Sequence, residues 1–267
     1  MDFEFYSQTD TGRIRNNNED AVALDERCAV AVLADGMGGY AAGEVASNMA
    51  CDFIKSELVR WLSEAAALAS DADVKRAMDI CVDNANQAIF SAANSNPTYA
   101  GMGTTLVVAV FRPGRLLMGH IGDSRGYRFR QGVLKQITKD HSLLQEQIDA
   151  GMLTPEQAMY AVNKNLVTRA LGVEDMVVLE AHQHEVAAGD IYLMCSDGLS
   201  DMLRDAQIAE IMGMYSRLSD IGQALVAAAN DAGGRDNIAV VLVRAAGAAE
   251  APSAKSWWPF KRPNGLV

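Results

Sequence analysis

Short runs rich in Val, Ile and Leu recur along this chain with acidic residues at their ends, and two long amphipathic segments separate the first run from the rest. The runs are Ala29 to Ala34, Thr104 to Phe111, Leu116 to Ile121, Tyr127 to Phe129, Ile191 to Cys195 and Ile238 to Val243. Their length and β-branched content read as strands. The first amphipathic segment carries Met49, Phe53, Ile54, Leu58, Trp61 and Leu62 on one stripe, and the second repeats the spacing with Val74, Met78, Cys81, Val82, Ala85 and Ile89. Both read as helices with one apolar face.

Residues 141 to 171 interrupt the strand series with Leu143, Leu144 and Ile148, followed by Thr154-Pro155-Glu156-Gln157. A threonine N-cap, a proline at the first helical position and a Gln three residues on predict a helix start. Asp205 and Ser219 are expected to cap two later helices, the second stopping at Gly233-Gly234. At 267 residues the chain is long enough for one large domain, expected over 1–245. From 246 to 267 the composition shifts to Ala, Pro, Ser and Lys around Trp257-Trp258-Pro259-Phe260, which reads as a disordered tail whose aromatic cluster either docks on a partner or a membrane surface or is inert.

Composition excludes some functions. A formal net charge of −11 argues against a sequence-independent nucleic-acid binder, because that activity rests on Lys and Arg neutralising phosphates. Cys28, Cys51, Cys81 and Cys195 lie far apart in apolar stretches without zinc-ligand spacing, and read as buried structural thiols. The first thirty residues are charged throughout and lack an apolar leader core, and no apolar run is long enough for a membrane span. A reducing cytoplasm is the expected compartment.

The acids carry the chemistry. Asp35-Gly36 ends the first run, Asp197-Gly198 follows Ile191 to Cys195, Asp123 follows Leu116 to Ile121 across Gly122, and Asp236 precedes Ile238. A rigid sheet could point such residues into one cleft, with each glycine allowing a tight turn or offering its carbonyl. Oxygen donors without His or Cys suit hard cations, so Mg²⁺ or Mn²⁺ is implied rather than Zn²⁺. Asp20 adds a further acid upstream. Any one Asp-Gly pair taken alone reads as a simple turn.

Seven short motifs occur in order: Arg15 to Asp20, Asp35-Gly36-Met37-Gly38-Gly39, Gly103-Thr104-Thr105, Gly122-Asp123-Ser124-Arg125, Asp140-His141-Ser142, Ser196-Asp197-Gly198-Leu199 and Arg235-Asp236-Asn237-Ile238. On these residues the chain resembles bacterial members of the PPM family, the type-2C metal-dependent Ser/Thr protein phosphatases, across roughly 5 to 244. The resemblance implies an α+β fold, a four-layer α-β-β-α sandwich of two stacked antiparallel sheets, with residues 141–171 as a flap beside the cleft. It implies hydrolysis of phosphoserine and phosphothreonine on proteins, in opposition to a bacterial Ser/Thr kinase, by a water or hydroxide bridging two Mn²⁺ or Mg²⁺ ions. It also implies roles: Asp35 bridges both metals, Asp197 and Asp236 complete one, and the Gly36 carbonyl serves the other. Glu19 and Asp20 act mainly through metal-bound waters, Arg15 binds the substrate phosphate, and Asp123 builds a third, weaker site near Asp197. Two departures bear on the proton donor. Many members carry His where this chain has Met37, and bacterial members often carry His where it has Tyr40, which leaves Tyr40 or a water as donor.

Other polar residues read as structural. His120 is expected to be a satisfied core histidine, His141 to stabilise the flap entrance, His182 and His184 to be solvated on a strand, and Arg125 to pair with Asp123. Gly36 to Gly43 lacks the Gly-Lys-Ser/Thr of a phosphate-cradling loop, and the kinase and serine-hydrolase motifs are missing. Two other classes stay open at this point, a catalytically silent phosphoprotein-binding domain and a two-metal nucleotide phosphodiesterase.

Overall fold

A computed structural model describes residues 1–39, 42–65, 68–154, 157 and 166–247. Its elements are β1 (Phe3–Asp10), β2 (Asp20–Asp25), β3 (Val30–Met37), α1 (Ala42–Ala65), α2 (Asp71–Ser95), β4 (Gly103–Thr104), β5 (Leu106–Arg112), β6 (Arg115–Ile121), β7 (Arg125–Arg130) and β8 (Val133–Gln136). They continue with α3 (Leu143–Asp149), β9 (Glu180–Glu185), β10 (Ile191–Cys195), α4 (Asp197–Ser200), α5 (Asp205–Met214), α6 (Leu218–Asp231) and β11 (Ile238–Ala245). One sheet runs β1-β11-β10-β7-β8; the other runs β2-β3-β5-β6-β9, with β4 paired to β3. Every pairing between these strands is antiparallel.

Strand alternation sorts the apolar residues into separate packing layers, because successive side chains leave a strand on opposite faces. On β3, Val30, Val32 and Ala34 pack with Ile54, Leu58 and Met78 of α1 and α2, while Ala31 and Leu33 face the other sheet. On β11, Ile238, Val240 and Leu242 pack with Ile221 and Leu225 of α6, while Ala239, Val241 and Val243 join the middle layer. Phe111 and Tyr192 meet edge to face across that middle layer, with ring centroids 5.4 Å apart. The order is therefore helix, sheet, sheet, helix, as the resemblance implies. Central strands are buried on both faces, so their sequences are continuous apolar runs rather than alternating ones.

Several local expectations are met and others are corrected. Ser70, not among the expected caps, closes the start of α2 in a reciprocal box with Asp73. The Thr154 and Gln157 groups bond reciprocally, Thr154 N–H to Gln157 Oε1 at 2.9 Å and Gln157 N–H to Thr154 Oγ1 at 3.3 Å, as the capping pattern requires. The rest of that helix start, residues 155–156 and 158–165, lies outside the described residues. Arg204 and Arg217, not Asp205 and Ser219, occupy the N-cap positions of α5 and α6. Asp205 and Asp220 sit inside the first turns, where a negative charge meets the positive helix end. Cys51, Cys81 and Cys195 are buried and free, but Cys28 is only partly covered. Among the described residues no helix is long and apolar enough to cross a membrane. The tail cluster Trp257-Trp258-Pro259-Phe260 lies outside the described residues, as does Tyr40.

Candidate metal centre

The acids converge because both sheets deliver them to one end of the sandwich. In the β2–β3 ladder Asp20 stands directly opposite Asp35. The run that begins at Val30 does not stop before Asp35-Gly36, as the sequence suggests, but continues as strand through Met37. Gly36 is therefore needed for packing and not for a turn: a Cβ there would lie 2.1 Å from the Gly43 carbonyl oxygen and 2.7 Å from that of Glu19. This contact lets the start of α1 press on β3, and Gly36 N–H donates to the Glu19 carbonyl at 3.0 Å. The Asp35 backbone is held on the far side by Thr105, whose N–H donates to the Asp35 carbonyl at 2.9 Å and whose Oγ1 accepts from the Asp35 N–H at 3.0 Å.

The other sheet contributes Asp197 and Asp236. Asp197 opens α4 directly after β10, and Gly198 packs so closely that a Cβ would lie 1.9 Å from the Asn237 carbonyl oxygen. The turn after β10 and the residues before β11 are thereby locked together. Asn237 extends the lock to the N-terminal loop: its Oδ1 accepts from Glu19 N–H at 2.8 Å, and its amide donates to the Asn17 and Thr11 carbonyls at 2.8 and 3.0 Å. Ser196 ties the two sheets, donating to Asp20 Oδ2 at 2.7 Å and accepting from Ala239 N–H at 2.9 Å. Arg15 reaches back to Asp236 Oδ2 at 2.7 Å with 51% of its side chain exposed, which leaves its outer N–H groups facing solvent.

The electrostatics of this cluster are unbalanced. Burial pushes the Asp20 carboxyl up to about 7, only partly opposed by the Ser196 hydroxyl. Asp35 is held well above the carboxylate range by burial and then by Asp20, Asp197, Asp123 and Asp236. Asp197 is raised likewise, by burial, Asp123, Asp201 and Asp236. Asp123, just past the left-handed Gly122, is raised to about 6 by burial and by Asp140. Burial also raises Glu19. In addition, the buried Asp20 Oδ1 has no hydrogen-bond partner in the protein. An orphaned buried oxygen among carboxylates that oppose one another's ionisation fits a donor set for hard divalent cations, whose charge would offset the repulsion. Asp20, Asp35, Asp197 and Asp236 are the groups that could hold such cations, with Glu19 and Asp123 beside them.

Other polar groups resolve as structural. Arg125 does not pair with Asp123; its guanidinium forks onto Asp140, with Nε and Nη2 at 2.9 and 2.7 Å from Oδ2. Two residues of separation on the chain put Arg125 on β7 and Asp123 in the preceding turn, pointing to different neighbours. Asp201 was not expected at the cluster. Its signal is helical spacing, four residues after Asp197 on one turn.

His120 and His141 stack with centroids 4.6 Å apart. With Glu180 they form a compact group of metal-capable side chains, but their nitrogens are engaged: His120 Nε2 with the Lys139 carbonyl at 2.6 Å, His141 Nε2 with Glu180 at 3.1 Å, and His141 Nδ1 accepting from Gly122 N–H at 3.2 Å. His120 is a satisfied core histidine as expected, and His141 anchors the turn that carries Asp123. His182 is exposed, whereas His184 is half-buried and its Nε2 lacks a partner, so only one of the two is solvated.

Comparison with known proteins agrees with this geometry. A profile of the family described as Protein phosphatase 2C matches residues 11–242. The chain is 37% identical over 239 residues to a serine/threonine phosphatase, stp, of Listeria innocua, covering 88% of this chain and 93% of that one. Its fold is similar to the Mycobacterium tuberculosis serine/threonine phosphatase PstP/Ppp, with a TM-score of 0.82 at 37% identity over 92% of this chain and 100% of that one. It is also similar to a PstP catalytic domain solved with two manganese ions, with a TM-score of 0.78 at 37% identity over 92% of this chain and 99% of that one.

Proposed function

The chain belongs to the protein phosphatase 2C family and is accordingly a metal-dependent serine/threonine protein phosphatase, and we propose that it hydrolyses the phosphomonoester by attack of a water shared between two Mn²⁺ or Mg²⁺ ions. The observation that carries this reading is the convergence of Asp20, Asp35, Asp197 and Asp236 from both sheets, with Asp20 Oδ1 left unpartnered. In the proposed assignment Asp35 would be shared by both cations, Asp197 and Asp236 would hold one, and the Gly36 carbonyl would serve the other, while Asp20 and Glu19 would act through waters. When bound, such a pair lowers the pKa of its shared water from 15.7 toward about 7 and neutralises phosphate charge.

The remaining work falls to the chain's own groups. The Arg15 guanidinium, anchored on Asp236, presents its outer N–H groups as a fork to the phosphate oxygens. As the water oxygen bonds to phosphorus, the bond to the Ser or Thr oxygen breaks and that alkoxide takes a proton. Met37 has none to give, which leaves Tyr40 or a water. Residues 141–171 act as a flap beside this cleft on a domain spanning 1–245. In the cell the enzyme reverses the action of a Ser/Thr kinase in the cytoplasm, where four free thiols stay reduced, and the Trp257-Trp258-Pro259-Phe260 segment contacts a partner or a membrane surface.

The direct test compares phosphate release from a phosphothreonine peptide and hydrolysis of a cyclic dinucleotide, each with Mn²⁺ and with excess EDTA. Release from the peptide alone, abolished by EDTA, is expected. Full peptide activity in EDTA, or preference for the dinucleotide, would overturn the reading.

Asp123 is proposed to build a third, weaker cation site with Asp197, since Asp123 raises the Asp197 carboxyl and Asp201 raises both. Asp123→Ala should keep the fold, lower turnover severalfold and raise the metal concentration needed for half-maximal rate. A metal titration of the variant that superimposes on wild type would rule the site out.

A further inference from the structure

Next to the acid cluster lies an open groove of about 670 Å³, with Met37 on one wall and residues 167–178 on the other. It is within the size range of ligand sites. The two lining side chains Met37 and Val173 meet over Gly103, where a Cβ would stand 2.9 Å from Val173 Cγ2 and 3.7 Å from Met37 Cε. The rim is unusually apolar for exposed surface: Val173, Met176 and Val178 are 55%, 74% and 76% exposed. Single exposed apolar residues need no explanation, but a contiguous set around a concavity does.

The groove is continuous with the catalytic centre through the β3–β4 ladder. Gly36 pairs with Thr104 and Met37 with Gly103, and Met37, which lines the groove, follows Gly36 directly and stands two residues along β3 from Asp35. At about 3.3 Å per strand residue that is about 7 Å. A phosphorylated peptide seated on the acid cluster spans this distance with two or three residues of extended chain. Among the described residues the charged lining groups are Arg169 and Glu174, which are of opposite sign. The adjacent carboxylates, in a chain of net charge −11, disfavour an acidic segment there.

We infer that this groove is a substrate subsite that takes one apolar side chain, such as Leu, Ile or Met, from a position within three residues of the phosphoserine or phosphothreonine. The inference rests on the phosphatase reading of the neighbouring centre. Burying one such side chain against Met37 and Val173 gives selectivity through kcat/KM, since hydrophobic pockets commonly discriminate by ten- to two-hundredfold.

The test is a panel of phosphothreonine peptides on a glycine background, with a single Leu or a single Asp walked from three residues before to three after the phosphothreonine. Para-nitrophenyl phosphate, too small to reach the groove, runs beside it, with Mn²⁺ throughout. Leu at one position should raise kcat/KM about tenfold, equivalent to about 1.4 kcal/mol, and Asp there should lower it. The double variant Met176→Glu with Val178→Glu changes two exposed residues. It should erase the Leu preference and leave para-nitrophenyl phosphate hydrolysis within twofold of wild type. A flat panel, or a preference that survives in the double variant, would overturn the subsite while intact aryl phosphate hydrolysis preserved the phosphatase reading. Absence of hydrolysis of peptides and aryl phosphate alike would overturn both.

Discussion

Asp35→Asn should lower turnover roughly 10³-fold or more and at the same time raise the melting temperature of the metal-free protein. The first effect follows from position. Asp35 is the acid on which Asp20, Asp197, Asp123 and Asp236 all act, from elements of both sheets, so no neighbour can replace an oxygen lost there. Metal-assisted charge stabilisation is worth several kcal/mol in the transition state, and each 1.36 kcal/mol is tenfold in rate. The second effect follows from the same crowding. Without cations the Asp35 carboxylate is opposed by burial and by like charges, and an amide of the same shape removes that opposition. The backbone anchors to Thr105 do not involve the side chain and survive the change. One kcal/mol shifts the midpoint by about 2–4 °C in a chain of this size. Asp190→Asn is the control of opposite sign: that buried carboxyl is held down by Arg130, 2.6 Å away, and by Ala187 N–H, so its loss should destabilise. Turnover at saturating Mn²⁺ and melting in EDTA measure the two effects separately. A fall in metal-free stability for Asp35→Asn would mean that its carboxylate braces the fold instead.

The acids were legible in the sequence because they punctuate the central strands, and those strands were legible because burial on both faces writes them as unbroken apolar runs. The strands that sequence reading passed over or saw only through a histidine pair are β1, β2, β8 and β9, and all four are sheet edges. An edge strand pairs on one side only and keeps polar residues, as in Glu180–Glu185 with its two histidines. For β1 and β9 the ladder partner also lies far away in the chain: Phe3 pairs with Ala245 and Glu185 with Arg115. Local pattern carries no trace of such a partner.

The same limit explains why Asp35-Gly36 read as a strand end. Only the tertiary contact of Gly36 with Gly43 and Glu19 shows the glycine to be a packing requirement inside a strand. Arg125 was misassigned because sequence proximity favoured Asp123, whereas the hairpin geometry places Asp140 against the guanidinium. The capping positions at Arg204 and Arg217 were missed for a related reason: side-chain preference pointed to the acid and the serine one or two residues further on.

Manganese or magnesium should raise the melting temperature more at pH 7.5 than at pH 5.5, by about 5 °C or more. Asp20 sits at about 7 and Asp123 at about 6 in the fold, with Asp35 and Asp197 also raised, against about 3.9 for an unfolded aspartate. Between these limits the folded metal-free chain binds more protons than the unfolded one. The stabilising contribution of these acids is therefore complete below about pH 4 and is lost as pH rises through the folded values. Burial lowers His120, His141 and His184, so the unfolded chain takes protons first at those sites and their contribution slopes the other way. A melting curve of the metal-free protein alone mixes the two. The difference between metal-loaded and metal-free midpoints removes the histidines, which keep their surroundings in both forms, and isolates the acids. Cation binding must displace the protons of Asp20, Asp35 and Asp197, so affinity climbs with pH. Each tenfold gain in affinity adds about 1.4 kcal/mol of stabilisation when the cation is in excess. Asp35→Asn should flatten the slope, because one of the displaced protons is gone. A metal-induced shift that stays constant from pH 5.5 to 7.5 would show that the cation does not compete with protons at these carboxylates, and would remove the electrostatic basis of the site.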